Sequence, residues 1–176
     1  MDTIREREEL ARFLATQDAQ TLAQALLDLD EDHAPVAVFL ERLRLRGDAA
    51  ALTASFTERL QHWASDHRYI RLDEASALGH ELDVWVAEVQ REVLPRFPAE
   101  AMGLLAAFLE LDSLFERVDD DGACIGGSFE LACRLWSAAA QAAGLSADDI
   151  GERASALVAK DNYGVRGALR SALGPG

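Results

Sequence analysis

One stretch organises the chain: Val118-Asp119-Asp120-Asp121-Gly122-Ala123-Cys124-Ile125-Gly126-Gly127-Ser128-Phe129, in which carboxylates and glycines interrupt a helical pattern. Before it, Leu104, Phe108, Leu111 and Phe115 recur at spacings of four, three and four residues, which is typical of one face of a helix. Adjacent aspartates at the C-terminal end of a helix oppose the helix dipole. We therefore expect an arginine, backbone N–H groups or a cation to compensate their charge.

Helical spacing of apolar residues continues on both sides of this stretch, separated by capping signals. Asp18, Asp48 and Ser146 are each placed as an N-cap, and Gly144 followed by Leu145 predicts a Schellman ending. No segment alternates polar and β-branched apolar residues, so no sheet is predicted. The fold class predicted is all-α, a single domain over residues 1–176. We expect stacked antiparallel helical hairpins, arranged as a solenoid or as an irregular bundle.

Three helices of this prediction matter below. One begins at Pro35, which suits the first turn of a helix. A second runs from Asp73 to Leu94, where Pro95 ends it. A third begins near Ala99 and is expected to continue without interruption to Val118.

The balance of charge limits the partners. The chain has 17 Lys and Arg against 31 Asp and Glu, a formal net charge of −14. Nucleic-acid backbones and anionic membranes attract dense positive charge, so neither is an expected partner. A protein partner with basic character, or a second copy of the chain, is expected instead. No apolar run is long enough to span a bilayer, and Met1–Arg7 lacks the apolar core of a signal peptide, so we expect a cytoplasmic protein.

The acidic loop supplies the candidate binding residues Asp119, Asp120, Asp121 and Gly122. An EF-hand is excluded, because Gly122 at loop position six would put Arg117 at position one and Ser128 at position twelve. A phosphate-binding loop is excluded, because no lysine follows the last glycine and the carboxylates would repel phosphate.

Three hypotheses remain for these aspartates. In the first they cap the neighbouring helix end and pair with Arg68, Arg71 or Arg134, and in the second Asp119 and Asp121 hold Mg²⁺ or Ca²⁺ in a looser site. In the third they form an exposed acidic surface that contacts a partner. The first is favoured, and no metal ligand is assigned.

No catalytic residue and no cofactor is predicted. The chain's histidines, His33, His62, His67 and His80, form no known metal-binding motif, and we expect them at the surface or at caps. Neighbouring aspartates disfavour a reactive thiolate at Cys124. Trp63, Trp85 and Trp136 lie on apolar stripes and are predicted in the core.

Short segments resemble a group of uncharacterised bacterial proteins, and the helical portion of some bacterial SWIM zinc-finger proteins. Leu22–Leu29 is similar to a helical Leu-Ala-x-x-Leu-Leu-Asp-Leu pattern, Arg68–Ala75 to a Gly-Phe-Ile-Asp-Tyr stretch, and Asp119–Gly126 to an Asp-Asp-Ser-Asp-Gly loop. The zinc-finger cysteines are absent, so no metal role is implied. The resemblance implies an all-helical, repeat-like domain of unknown function that acts as an interaction module.

Three functions are therefore weighed. The favoured hypothesis is a protein-interaction or scaffold module that binds a basic partner or itself through an acidic surface. The alternatives are a metal-dependent enzyme using Asp119 and Asp121, and an acidic inhibitor or immunity-type protein. An enzymatic role is less expected than a non-enzymatic one.

Overall fold

The computed structural model describes the backbone of residues 3–32, 36, 40, 47–119 and 124–173, and the side chains of residues 8–29, 36, 40, 47–119 and 124–170. These residues form seven α-helices and no β-strand, which confirms the all-α fold class. The packing, whether solenoid or irregular bundle, stays a prediction. The helices are α1 (Thr3–Ala15), α2 (Ala19–Asp32), α3 (Ala49–Ser65), α4 (Leu72–Glu88), α5 (Pro98–Leu109), α6 (Gly126–Ala142) and α7 (Ala147–Ala159).

The chain divides into two compact units, residues 1–47 and 48–176, and the single domain predicted over 1–176 stays a prediction. In the first unit, Asp18 caps α2 as predicted, because its carboxylate accepts a hydrogen bond of 2.9 Å from the backbone N–H of Thr21. The helix predicted from Pro35 lies outside the described residues apart from Val36 and Leu40, both helical.

The second unit is built around α5, which packs most extensively on α6 and also against α3. Its core contains a chain of ring contacts, in which Trp85 stacks on Phe108 at 5.3 Å and Phe108 contacts Phe129 at 4.8 Å. Trp63 and Trp136 are buried with Trp85, as predicted from their apolar stripes. Aromatic pairs of this kind add to the free energy gained by burying their area.

Helix α4 continues into a π-helical segment, Val89–Val93, in place of the uninterrupted α-helix predicted from Asp73 to Leu94. The backbone N–H of Leu94 donates to the carbonyl of Val89, five residues back, and the next residue, Pro95, cannot donate. Glu92 is carried on this segment and is almost fully buried.

The prediction of one helix from Ala99 to Val118 is wrong. Helix α5 ends at Leu109, and a 3-10 segment, Asp112–Glu116, follows it. Sequence periodicity does not indicate the break, because the spacing of Leu104, Phe108, Leu111 and Phe115 continues across it. The buried carboxylate of Asp112 lies 3.0 Å from the guanidinium of Arg166, near the other end of the unit.

The predicted boundary between α6 and α7 is confirmed. Gly144 has φ of 79°, and Leu145 donates to the carbonyl of Ala140 at 3.2 Å, which is the Schellman hydrogen bond. Ser146 caps α7 by accepting from the backbone N–H of Asp149 at 3.1 Å. Asp48 caps α3 in the same way, accepting from Ala51 at 3.0 Å.

Candidate functional site

Two irregular segments meet at the start of the acidic loop. The backbone N–H of Ile70 donates to the carbonyl of Arg117 at 2.7 Å, and the N–H of Asp119 donates to the carbonyl of Ile70 at 3.0 Å. These bonds form an isolated parallel bridge between Ile70 and Val118. Asp119 is thereby fixed beside the segment that carries Tyr69.

Of the four predicted binding residues, Asp119 alone is described, and Asp120, Asp121 and Gly122 lie outside the described residues. The Asp119 side chain is exposed and accepts a hydrogen bond from the Tyr69 hydroxyl. Desolvation and then the negative charge of Asp119 raise the pKa of Tyr69 above its ordinary value. Tyrosine therefore provides the described side-chain contact at this aspartate.

The predicted pairing of the loop aspartates with an arginine stays a prediction, because Asp120 and Asp121 lie outside the described residues and no ion pair of Asp119 is described. Each of the three candidate arginines pairs with a carboxylate close to it in sequence, because such pairs form within a turn or along one helix face. These are Arg68 with Asp66 at 2.9 Å and Glu74 at 3.1 Å, Arg71 with Asp73 at 3.5 Å, and Arg134 with Glu130 at 2.5 Å.

Helix α4 supports the other end of the loop. A Cβ atom at Gly79 would stand 2.3 Å from the carbonyl oxygen of Cys124, so only glycine allows this approach without a shift. The hydroxyl of Ser128, fully buried in the first turn of α6, donates to the carboxylate of Asp83 at 2.5 Å. Both ends of the acidic loop are therefore fixed by the body of the second unit.

The described residues contain no group of three or more His, Cys, Asp and Glu side chains arranged to hold a metal ion. His62, His67 and His80 are exposed, as predicted, and His33 lies outside the described part of the chain. A site that used Asp121 would involve an undescribed residue, so the metal hypothesis stays a hypothesis. Among the helices that the structure describes, none has the length and apolar character needed to cross a membrane.

A small polar pocket of about 40 Å³ lies below the bridge, and Arg117 lines it. Its guanidinium donates to the carbonyl of Trp63 at 3.2 Å, and its other terminal nitrogen, Nη1, is buried with no hydrogen-bond partner in the described structure. Hydrogen bonds from the backbone and side chain of Arg68 lower the pKa of Asp66 in the same pocket, and the charge of Arg117 adds to this. The space is that of about one water molecule, too small for an organic ligand.

The larger concave feature is an apolar groove of about 520 Å³ between α3 and α5. Leu60, Leu104 and Leu111 are the buried apolar residues of its described lining. Small residues leave it open to solvent, among them Ala64, Gly103 and Ala107. Sequence analysis does not identify this groove, because residues on two separate helices form it. Its local signal is the pair of small residues, Gly103 and Ala107, one turn apart on a helix that also carries Leu104, Leu105 and Phe108.

The lining of the groove is acidic where it is charged. Glu100 lies in the first turn of α5, Glu110 lies just after its end, and no lysine or arginine is among the lining residues that the structure describes. Glu110 forms an exposed ion pair with Lys160 at 2.6 Å. Exposed pairs of this kind are weak, so Glu110 remains able to exchange its partner.

The second unit has a large excess of acid. Residues 48–176 include 11 Lys and Arg against 21 Asp and Glu, a formal charge of −10. Among the described residues of this unit, at least seven of the basic side chains form ion pairs with its carboxylates. Most of its cations are therefore engaged internally, and the excess carboxylates give the unit a net negative field.

Comparison with known proteins places most of the chain in one family. A family model described as "Family of unknown function (DUF6880)" matches residues 10–175. No curated protein and no solved structure matches the chain. The expected similarity to SWIM zinc-finger proteins stays a prediction.

Proposed function

Because the chain belongs to the family of unknown function DUF6880, whose members supply no activity to transfer, we propose its function from its own surface. We propose that it is a helical protein-interaction module. It binds a partner protein of basic character through the acidic surface of residues 48–176, and the groove between α3 and α5 anchors the contact.

The observation that carries this proposal is the combination of apolar lining and acidic ends in one groove. Apolar surface supplies most of the free energy of protein association, and charge around it selects the partner and speeds encounter. A groove of about 520 Å³ is within the usual range for ligand sites. Glu100 and Glu110 would repel acidic partners and favour basic ones.

The test is capture of partners by the full chain immobilised on a surface, from extracts of its source organism. A supporting result is a basic protein that binds again after purification, and whose affinity falls steeply as salt is raised. The double variant Glu100→Gln/Glu110→Gln should bind it more weakly. Binding of acidic or neutral proteins alone, insensitive to salt, would contradict the proposal.

Self-association is a second form of the same function, and sedimentation equilibrium measures it directly. A dimer that dissociates as salt is raised identifies a second copy as the partner. A salt-insensitive dimer contradicts the role given to the acidic surface.

The competing hypothesis of a metal-dependent enzyme is tested by thermal unfolding with Mg²⁺, Mn²⁺, Ca²⁺ or Zn²⁺ added. A cation that binds the folded state must raise the melting temperature. A saturable rise that is lost in Asp119→Asn would favour the metal hypothesis over the interaction module.

A further inference from the structure

We propose that the groove between α3 and α5 binds a single α-helix of the partner protein, with an apolar stripe on one face and a basic residue near each end. This inference rests on the proposed function and specifies the partner's chemistry. The occupant is therefore an amphipathic, basic helix rather than an extended peptide or a small molecule.

The walls of the groove favour a helix by shape. Residues on α3 contribute at positions 53, 57, 60 and 64, and residues on α5 contribute at positions 100, 103, 104 and 107. These positions recur every three or four residues, so each wall is one face of a helix and the groove runs along both. A third helix can lay a row of side chains between two such faces.

The polarity of the lining argues against an extended peptide. An extended chain needs donors and acceptors along its backbone, usually from a sheet edge, and the described residues contain no strand. Among the polar lining groups, the Thr57 hydroxyl already donates to the carbonyl of Thr53 at 2.9 Å. A helix satisfies its own backbone and can therefore lie on an apolar lining without this help.

The length of the groove and its charges define the occupant further. Glu100 lies near the start of α5 and Glu110 just after its end, ten residues later, which corresponds to about 15 Å at the rise of an α-helix. A helix lying beside α5 meets both carboxylates if its basic residues are also about ten positions apart. Both ends of the groove are acidic, so charge does not select one direction of the bound helix.

Gly103 provides a variant that closes the groove. A Cβ atom at this position meets nothing within 4 Å, so the backbone accepts a side chain here, and we expect a larger side chain to occupy the groove. Gly151, in α7, is a matched control, because its Cβ also meets nothing within 4 Å and it does not line the groove. Both substitutions replace a helical glycine, so both gain the same helix propensity.

The probe is a fluorescent, alanine-based peptide with leucines at i, i+4 and i+7 and arginines ten positions apart. One control peptide has the same composition with its leucines spread around the helix, and a second has glutamate in place of arginine. Binding to the full chain is followed by fluorescence anisotropy at low and high salt. Circular dichroism and thermal unfolding establish first that Gly103→Leu and Gly151→Leu are folded.

The expected result is saturable binding of the probe to the wild type and to Gly151→Leu, with at least about a tenfold loss in Gly103→Leu. In Glu100→Gln/Glu110→Gln, which leaves the groove open, binding should weaken about threefold and lose most of its salt dependence. The two control peptides should bind at least about tenfold more weakly. Equal binding of the scrambled peptide, or an unchanged affinity in Gly103→Leu, overturns the inference.

Failure of this inference is distinguishable from failure of the proposed function. Suppose that a captured basic protein binds the wild type and Gly103→Leu equally and that its binding remains sensitive to salt. This result contradicts binding of a helix in the groove but is consistent with the interaction module. If no salt-sensitive protein partner is captured and the peptide does not bind, both the proposed function and the inference about the groove are contradicted.

Discussion

Gly79 of α4 lies directly against the backbone of Cys124, so that a Cβ atom there would stand 2.3 Å from the Cys124 carbonyl oxygen. The acidic loop is therefore held at this end by a contact that any side chain would disturb. We predict that Gly79→Ala lowers the free energy of unfolding by about 1–3 kcal/mol, because overpacking against backbone outweighs the gain in helix propensity. Urea denaturation monitored by circular dichroism measures the change.

Gly103→Ala is the control for this substitution. It also lies within a helix, but its Cβ would have open space, so its stability should be unchanged or raised by up to about 1 kcal/mol. If both variants gain stability equally, the contact between Gly79 and Cys124 does not limit the packing of α4.

The buried ion pair between Asp112 and Arg166 links the end of α5 to the C-terminal segment, and it gives a second prediction. The two side chains are 7% and 1% exposed, and Arg166 also donates to the carbonyl of Leu157 at 2.7 Å. Asp112→Ala should lower the free energy of unfolding by about 3–5 kcal/mol, because it leaves a buried guanidinium without its counter-charge. Chemical denaturation at neutral pH measures the loss.

Two sets of variants are controls for Asp112→Ala. Asp112→Leu/Arg166→Met should recover much of the lost stability, since it removes both charges. Glu130→Ala breaks a pair whose side chains are 64% and 58% exposed, and should cost less than about 1 kcal/mol. Equal effects for the buried and exposed pairs would contradict the structural role of Asp112.

These two relationships show what sequence could and could not predict. Caps were predicted correctly at Asp18, Asp48, Ser146 and Gly144, because each depends on hydrogen bonds between residues at most five apart. The break after Leu109 is not predicted, because the apolar spacing continues across it, and the ion pair that Asp112 forms just beyond it is to a residue far along the chain.

In the candidate site, too, contacts between residues distant in sequence are the ones that the sequence does not predict. The sequence predicts that the segment around Arg68 lies near the acidic loop. In the structure the contact is made by backbone hydrogen bonds at Ile70. The side chain that contacts Asp119 is that of Tyr69 rather than an arginine. The groove was missed altogether, because its two walls come from α3 and α5 and periodicity describes each helix alone.

The two cysteines should differ in reactivity. Burial raises the pKa of Cys133 to about 11, so at pH 8 its thiol is almost entirely protonated as well as shielded. In Cys124→Ser, the remaining thiol should react with a disulfide reagent only after unfolding in urea. Rapid reaction of native Cys124→Ser at pH 8 would show that Cys133 is accessible.

The same pKa shift predicts a pH dependence of stability. An unfolded cysteine ionises near pH 9 and native Cys133 near pH 11, so above pH 9 the unfolded state binds fewer protons than the native state. The contribution of Cys133 is therefore complete below pH 9 and is lost as the pH rises from 9 to 11. Denaturation at intervals over this pH range should show a smaller decline in the free energy of unfolding for Cys133→Ala than for the wild type. An equal decline in the two proteins would contradict the raised pKa of Cys133.

The contact between Tyr69 and Asp119 predicts how charge at the acidic loop affects its neighbour. Desolvation and the negative, hydrogen-bond-accepting carboxylate of Asp119 favour the protonated phenol, and so raise the pKa of Tyr69. Asp119→Asn removes the charge while keeping a similar shape, so the pKa of Tyr69 should fall toward its ordinary value of 10.0. Ultraviolet titration of tyrosinate measures the pKa of Tyr69.

Tyr163 is the internal control, because its hydrogen bond to Glu116 raises its pKa to about 12 and Asp119 does not act on it. If the pKa of Tyr69 is unchanged in Asp119→Asn, the carboxylate does not act on Tyr69, and only the backbone hydrogen bonds at Ile70 link the acidic loop to the segment before α4.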